Sequence, residues 1–317
     1  MNETPTLSKT ELRRRARADA HARKYNHVVD QLILERARKL SRSRWWPVYR
    51  VVLNKLLGYK TAVRMVDEAG NYSAPDAFEY VSNMLDLKLD VTGLEHVPRD
   101  GAFLMALSHP TGIADGVAIY DTLKQVRSDM AFFANQDAIR LNPHLEEMII
   151  AVPWRAEDKS RAKSRDTLVR TAKAFKADKA VVLFPSGRLA FMNDDKVLTE
   201  QPWMNSVAQL PKKYECPILP AHMVSRNSWL YYWFWDVNEE LRDMTLFHEL
   251  LNKKGRVFKI TIGPPIMPDD LPDNNDEATA LLREFISQEL PKGTSWEEFR
   301  TSEKAREISA APLSRNP

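Results

Sequence analysis

A single cysteine, Cys216, occurs in the 317 residues. That excludes an intrachain disulfide and any cysteine-built metal cluster, and it fits a reducing compartment. Followed by Pro217 and an apolar run, Cys216 reads as a buried structural thiol. No stretch approaches the ~18 apolar residues that a membrane-crossing helix needs. The first forty residues are polar and basic, so no secretory signal is expected. His-Glu-x-x-His and paired-cysteine patterns are missing, and His144, His222 and His248 show no ligand spacing, so no metal is expected. The serine-hydrolase elbow Gly-x-Ser-x-Gly is missing as well, because Phe184 stands two residues before Ser186. Internal repeats and nucleic-acid-binding modules are also lacking, which leaves nucleic acid out as a partner.

What the chain does have is 44% hydrophobic residues, enough for a sizeable core in one large domain or one domain plus a helical extension. Its net charge of +3 hides an asymmetry. Residues 1–64 hold sixteen Lys or Arg against five Asp or Glu, a net +11, and the remainder nets −8. The basic arm is a separate electrostatic unit. Residues 12–40, rich in Ala and Arg and free of Pro and Gly, predict one long helix. Residues 41–60 place Trp45, Trp46, Tyr49, Val52, Leu53, Leu56 and Leu57 among Arg44, Arg50, Lys55 and Lys60. That pattern predicts an amphipathic cationic helix. It suits an interfacial membrane helix anchored by Trp45, Trp46, Leu53 and Leu56, and equally a helix packing its apolar face on the rest of the protein.

Beyond residue 65 the pattern becomes α/β. Strands are expected at residues 87–91, 103–107, 130–134, 149–152, 181–184, 218–222 and 257–262, with helices at 74–85, 116–126 and 163–175. Helices between most strands predict a mixed, largely parallel sheet flanked by helices. The expected division is a basic helical membrane-association extension (1–64), an α/β domain (65–309) and a fraying tail (310–317). The aromatic run SWLYYWFWD, residues 228–236, suits core packing, an acyl tunnel or a lipid interface.

Two stretches carry chemistry. In SHPTGIADG, His109 and Asp115 lie six residues apart just after the apolar run at 103–107, and Pro110 and Gly112 end that strand and let the loop fold back. A carboxylate bonded to one imidazole nitrogen fixes the tautomer and leaves the other as a base. Asp115 is also a preferred cap for a helix starting at Gly116. Thr111 and Gly112 have a hydroxyl and an N–H to offer an oxyanion, though turn formation explains them equally. In VVLFPSGR a second strand opens into a turn where the amides of Ser186 and Gly187 and the Arg188 guanidinium suit a phosphate.

The pair resembles the glycerolipid (lysophospholipid) acyltransferase superfamily, whose signature is His-x4-Asp followed by a Phe-Pro-Glu-Gly loop. The spacing here is His-x5-Asp, and Ser186 stands where the Glu would be. Both features are similar to the bacterial hemolysin-like branch, with His-Pro-x-Gly-x-x-Asp-Gly and Phe-Pro-x-Gly. VTGLEHVP (91–98), CPILPAHM (216–223) and ELLNKKGRVFKITIGPPI (249–266) extend the likeness over residues 87–290.

The resemblance implies acyl transfer from acyl-CoA or acyl carrier protein to the hydroxyl of a lysolipid. His109 and Asp115 would be the catalytic dyad, and no cofactor beyond the acyl thioester is expected. Pro153-Trp154-Arg155 resembles the block holding a phosphate-binding Arg, although Arg155 equally suits a surface ion pair near Glu157 and Asp158. A lipid substrate favours the membrane reading of residues 41–60, with the protein peripheral on an anionic, cytoplasmic membrane face. The rivals are N-acylation of an amino-acid head group and a silent membrane-binding protein of the same fold.

Overall fold

A computed structural model describes residues 27–153 and 160–310. Arg155, the first helix before residue 27 and the tail beyond 310 lie outside the described residues. In chain order the elements begin with four helices, α1 (Val28–Arg36), α2 (Trp46–Leu56), α3 (Tyr59–Ala69) and α4 (Ala74–Leu85). Then come β1 (Lys88–Thr92), β2 (Phe103–Leu107), α5 (Ile113–Leu123), β3 (Met130–Asn135), α6 (Asp137–Leu141), β4 (Ile149–Val152), α7 (Arg161–Lys176) and β5 (Ala180–Leu183). A small hairpin, β6 (Phe191–Met192) and β7 (Leu198–Thr199), precedes α8 (Ser206–Tyr214) and β8 (Ile218–Val224). Helices α9 (Trp229–Val237), α10 (Glu239–Met244) and α11 (Leu246–Leu251) lead to β9 (Val257–Ile262), α12 (Asn275–Glu284), α13 (Trp296–Thr301) and α14 (Glu303–Ala310).

Seven strands form one sheet in the order β1-β9-β8-β2-β5-β3-β4. Every pairing is parallel except β8 with β9, so the sheet is mixed and largely parallel, as expected. β2 and β5 are central. All five residues of β2 are wholly buried, which is why that segment reads as an unbroken apolar run rather than an alternating one. Phe103, Met105 and Leu107 join one core layer and Leu104 and Ala106 the other, so helices cover both faces. Buried side chains of this size contribute roughly 1.5–3 kcal/mol each. β2, β5 and β8 run the same way, so their C-terminal ends share one edge of the sheet, where α/β folds place their ligands.

Three expectations need correction. The first helix does not run to residue 40: α1 ends at Arg36, because the main-chain N–H groups of Lys39 and Leu40 donate to the Glu240 carboxylate at 2.7 and 2.8 Å. Residues 41–60 are not one helix either. Gly58 adopts φ +70° between α2 and α3, and a Cβ there would come within 2.8 Å of Leu251. Finally, α5 starts at Ile113 rather than at Gly116, for reasons that lie in the Asp115 carboxylate.

The N-terminal helices are fastened to the body. Arg36 pairs with Asp137 at 2.8 Å, Arg140 holds Glu35 at 2.8 Å, and buried Asp30 accepts from Arg50 and, at 2.9 Å, from the Tyr59 hydroxyl. Trp46, Leu57 and Met244 share a small core with Leu53 beside it. Cys216 is buried in the main core, which pushes its thiol up to about 11. Among the described residues, no helix is long and apolar enough to cross a membrane.

Candidate active site

His109 is the second residue after β2, at the shared C-terminal edge. Its Nδ1 lies 2.9 Å from Asp115 Oδ2, and the imidazole stacks on Phe184 with ring centroids 4.1 Å apart. A carboxylate can only accept, so Nδ1 carries the proton and Nε2 is left with its lone pair. The His109 side chain is 19% exposed and that of Asp115 is 0% exposed, so the imidazole reaches solvent while its carboxylate partner does not.

Asp115 is held by more than the ring. Oδ2 also accepts the main-chain N–H groups of Thr111 at 2.8 Å and Gly112 at 2.9 Å, and Oδ1 accepts the Thr111 hydroxyl. This corrects two readings. Asp115 is not an N-cap: it sits in the first turn of α5 and reaches back to the amides before it, with Gly112 at φ +103° making the turn. Thr111 and Gly112 do not support an oxyanion, because their donors are committed to Asp115. A Cβ at position 112 would meet Leu189 at 3.2 Å, in a backbone region that side chains rarely adopt.

The turn after β5 is likewise closed on itself. The Gly187 N–H donates to the Phe184 carbonyl at 2.9 Å. The buried Ser186 hydroxyl donates to the Arg188 carbonyl at 2.7 Å. The Gly187 amide is therefore spent on the turn, and Ser186 shapes the loop with its hydroxyl. The Gly187 amide thus departs from its expected phosphate-holding role. What the turn presents outward is Arg188, exposed and without an ion-pair partner among the described residues.

A sequence model of the family described as Acyltransferase matches residues 88–224, which span the dyad, the turn and the central strands. The lyso-glycine lipid O-acyltransferase of Phocaeicola vulgatus is 23% identical over 252 residues, covering 75% of this chain and 88% of that protein. Its namesake from Bacteroides thetaiotaomicron is 22% identical over 245 residues, with 75% and 87% coverage. The Acyltransferase match and these two relatives support the glycerolipid acyltransferase superfamily. The chain is an acyltransferase. The crystal structure of the 1-acyl-sn-glycerophosphate (LPA) acyltransferase PlsC from Thermotoga maritima aligns with 77% of this chain and 97% of its own, at 15% identity and a TM-score of 0.45.

Other groups in the acyltransferase surround the dyad. The Ser108 hydroxyl accepts the Met223 N–H at 3.0 Å and ties β2 to β8. Beyond β8, buried Glu249 accepts the N–H and hydroxyl of Ser228 at 2.8 and 2.5 Å and pairs with buried Lys253 at 3.1 Å. Burial alone would raise the Glu249 carboxyl, but the Ser228 bonds and the Lys253 charge hold it below its ordinary value. This cluster fixes the start of α9, where Tyr231, Tyr232 and Phe234 pack inward while Trp229 and Trp233 stand exposed. The aromatic run is thus divided between core and surface. Glu200, which no motif flags, accepts the main-chain N–H of His109 at 2.9 Å. No group of three His, Cys, Asp or Glu among the described residues is placed to hold a metal ion.

The four residues expected to contact a membrane are split by α2. Trp46 is only 2% exposed and Leu53 is half-buried, so both face inward, which corrects their assignment. Trp45 is 52% exposed, and Val48, Tyr49, Val52 and Leu56 continue the outward stripe at helical spacing. Arg50 is likewise drawn inward to Asp30, which leaves Arg42, Arg44, Lys55 and Lys60 as the exposed cations of this segment.

Proposed function

We propose that this acyltransferase moves a fatty acyl group from a thioester donor, acyl-CoA or acyl carrier protein, to the hydroxyl of a lysolipid. One observation carries the reading: a solvent-reaching imidazole with its Nδ1 held 2.9 Å from a fully buried carboxylate. That arrangement serves general-base chemistry on a hydroxyl. Nε2 of His109 takes the proton of the acceptor hydroxyl as its oxygen attacks the thioester carbonyl, forming the C–O bond. As the tetrahedral intermediate collapses, the C–S bond breaks and the imidazolium returns the proton to the leaving thiolate. Asp115 stabilises the transient imidazolium. General-base catalysis supplies roughly 10²–10⁴-fold, and orientation and oxyanion stabilisation supply the rest. Since Thr111 and Gly112 serve Asp115, exposed Arg188 is the nearby cation suited to an anionic part of donor or acceptor.

The relatives named for lyso-glycine lipid O-acylation support a lyso-aminolipid acceptor and O- rather than N-acylation. The outward stripe of α2, with the cations around it, supports peripheral attachment to an anionic bilayer, where such an acceptor resides. We retain the division into a helical membrane-association extension and an α/β catalytic domain as part of this reading. The test is an acceptor panel: purified protein, a long-chain acyl thioester, and lyso-glycine lipid, lysophosphatidate or free amino acid. A diacylated lyso-glycine product is expected. Acylation of the amino acid alone would replace this reading with N-acylation.

A further inference from the structure

Glu200 lies just after β7, outside both motifs. Its Oε1 accepts the main-chain N–H of His109 at 2.9 Å, and its Oε2 accepts the indole N–H of buried Trp203 at 3.3 Å. Ten residues earlier the same segment meets the other main-chain group of His109, where the Ala190 N–H donates to its carbonyl at 3.0 Å. The β6–β7 hairpin therefore grips both polar backbone groups of one residue. The grip is itself anchored: the Met204 N–H donates to the Pro185 carbonyl at 3.0 Å, and Arg283 of α12 donates to the Glu200 carbonyl at 2.6 Å.

We infer that Glu200 is a positioning residue of the catalytic centre, fixing the main chain at His109 so that Nε2 is presented at the geometry of attack. This rests on reading His109 as the general base. His109 has left β2 and is followed by Pro110 and Gly112, so no ladder of strand bonds holds it there. Asp115 and Phe184 set the direction and plane of the ring. Neither fixes the backbone from which the ring projects. A half-buried carboxyl oxygen accepting that N–H does. Its burial raises the Glu200 carboxyl above the ordinary value and the Asp115 charge adds to this, opposed by the His109 N–H and by Trp203. Positive charge that forms on the imidazole during transfer favours an ionised Glu200, a second negative group near the base. The loop that carries His109 and Asp115 and the hairpin are in this way one unit, although 91 residues separate the bonded pair.

Glu200→Ala and Glu200→Gln separate a positioning role from a merely structural one. Glutamine keeps an acceptor oxygen for the His109 N–H; alanine keeps none. The Ala variant should lose about a hundredfold in kcat, with KM for donor and acceptor within about twofold, since Glu200 positions the base and binds neither substrate. The Gln variant should recover to within about tenfold of the original kcat. Hydrogen exchange at the His109 amide, read without substrate, should be slow in the parent protein and in the Gln variant and fast in the Ala variant. Unchanged kcat in the Ala variant, a KM rise without loss of kcat, or a Gln variant as impaired as the Ala one would overturn the inference. So would an equally protected His109 amide in all three proteins. The exchange arm needs no acyl transfer, so a parent protein inactive on every acceptor would sink the proposed function while leaving the positioning role to be decided by exchange alone.

Discussion

Replacing Asp115 by asparagine removes one charge and very little else. Oδ2 accepts three N–H groups, from His109, Thr111 and Gly112, and Oδ1 meets only the Thr111 hydroxyl, which can turn from donor to acceptor. An asparagine that puts its oxygen in the Oδ2 place and its NH2 towards Thr111 keeps every bond. What it loses is attraction for the imidazolium. A charge about 4 Å away at an effective dielectric near 20 is worth roughly 4 kcal/mol, and partial charge transfer in the transition state reduces that to about 3 kcal/mol. At about 1.4 kcal/mol per decade, kcat should fall by roughly 10²-fold. KM should hold, because Asp115 is fully buried and cannot touch a substrate. Folding stability should drop by no more than about 1 kcal/mol, since no donor is orphaned. Asp115→Ala orphans three N–H groups and should cost about 3 kcal/mol or more in stability besides activity. The assay is thiol release from an acyl thioester, alongside thermal denaturation of both variants. An Asn variant with unchanged kcat would refute the charge argument. One that unfolds like the Ala variant would refute the bonding argument.

Removing the Arg188 guanidinium (Arg188→Ala) should raise KM for the anionic partner several-fold at unchanged kcat in steady-state kinetics; if every constant is unmoved, the anion contact lies elsewhere. Changing Trp45, Val48, Val52 and Leu56 together to polar residues should release the protein from anionic liposomes in a flotation assay. Binding of the parent should weaken as salt rises, and persistent flotation of the folded variant would exclude α2 as the anchor. Glu249→Gln should destabilise the fold by about 3 kcal/mol at neutral pH, because it leaves Lys253 buried without its counter-charge. Since the folded Glu249 carboxyl sits below its ordinary value, the stability it confers is complete above that value and is lost as pH falls through the lowered one. Denaturation midpoints of variant and parent should therefore converge in acid, and a gap independent of pH would contradict the pairing.

Legibility from sequence followed how local each feature is. β2 and β5 could be read because both faces of a central parallel strand are covered, leaving uninterrupted apolar runs. The dyad could be read because one short loop carries both partners. The roles of Thr111 and Gly112 could not, since a free N–H and one bonded to a carboxylate are identical in sequence. Trp45 and Trp46 differ by a rotation of roughly 100° around α2. With apolar residues on both sides of that helix, only its packing on Leu57 and Met244 decides which tryptophan is inside. The opposite direction of β9 to β8 is a matter of pairing between segments and leaves no mark in composition. Glu200 was invisible for two reasons. Its hairpin strands are two residues each, too short for alternation to register, and its partner is 91 residues away.

The central claim is that His109 is the base for acyl transfer to a lysolipid hydroxyl. Its most direct test is mass spectrometry of the lipid product formed by purified His109→Ala beside the parent protein, with a long-chain acyl thioester and lyso-glycine lipid, both proteins shown to melt at similar temperatures. The account predicts diacylated product from the parent and a loss of roughly 10²–10⁴-fold in the variant. Product formed by the variant at the parent's rate would contradict it.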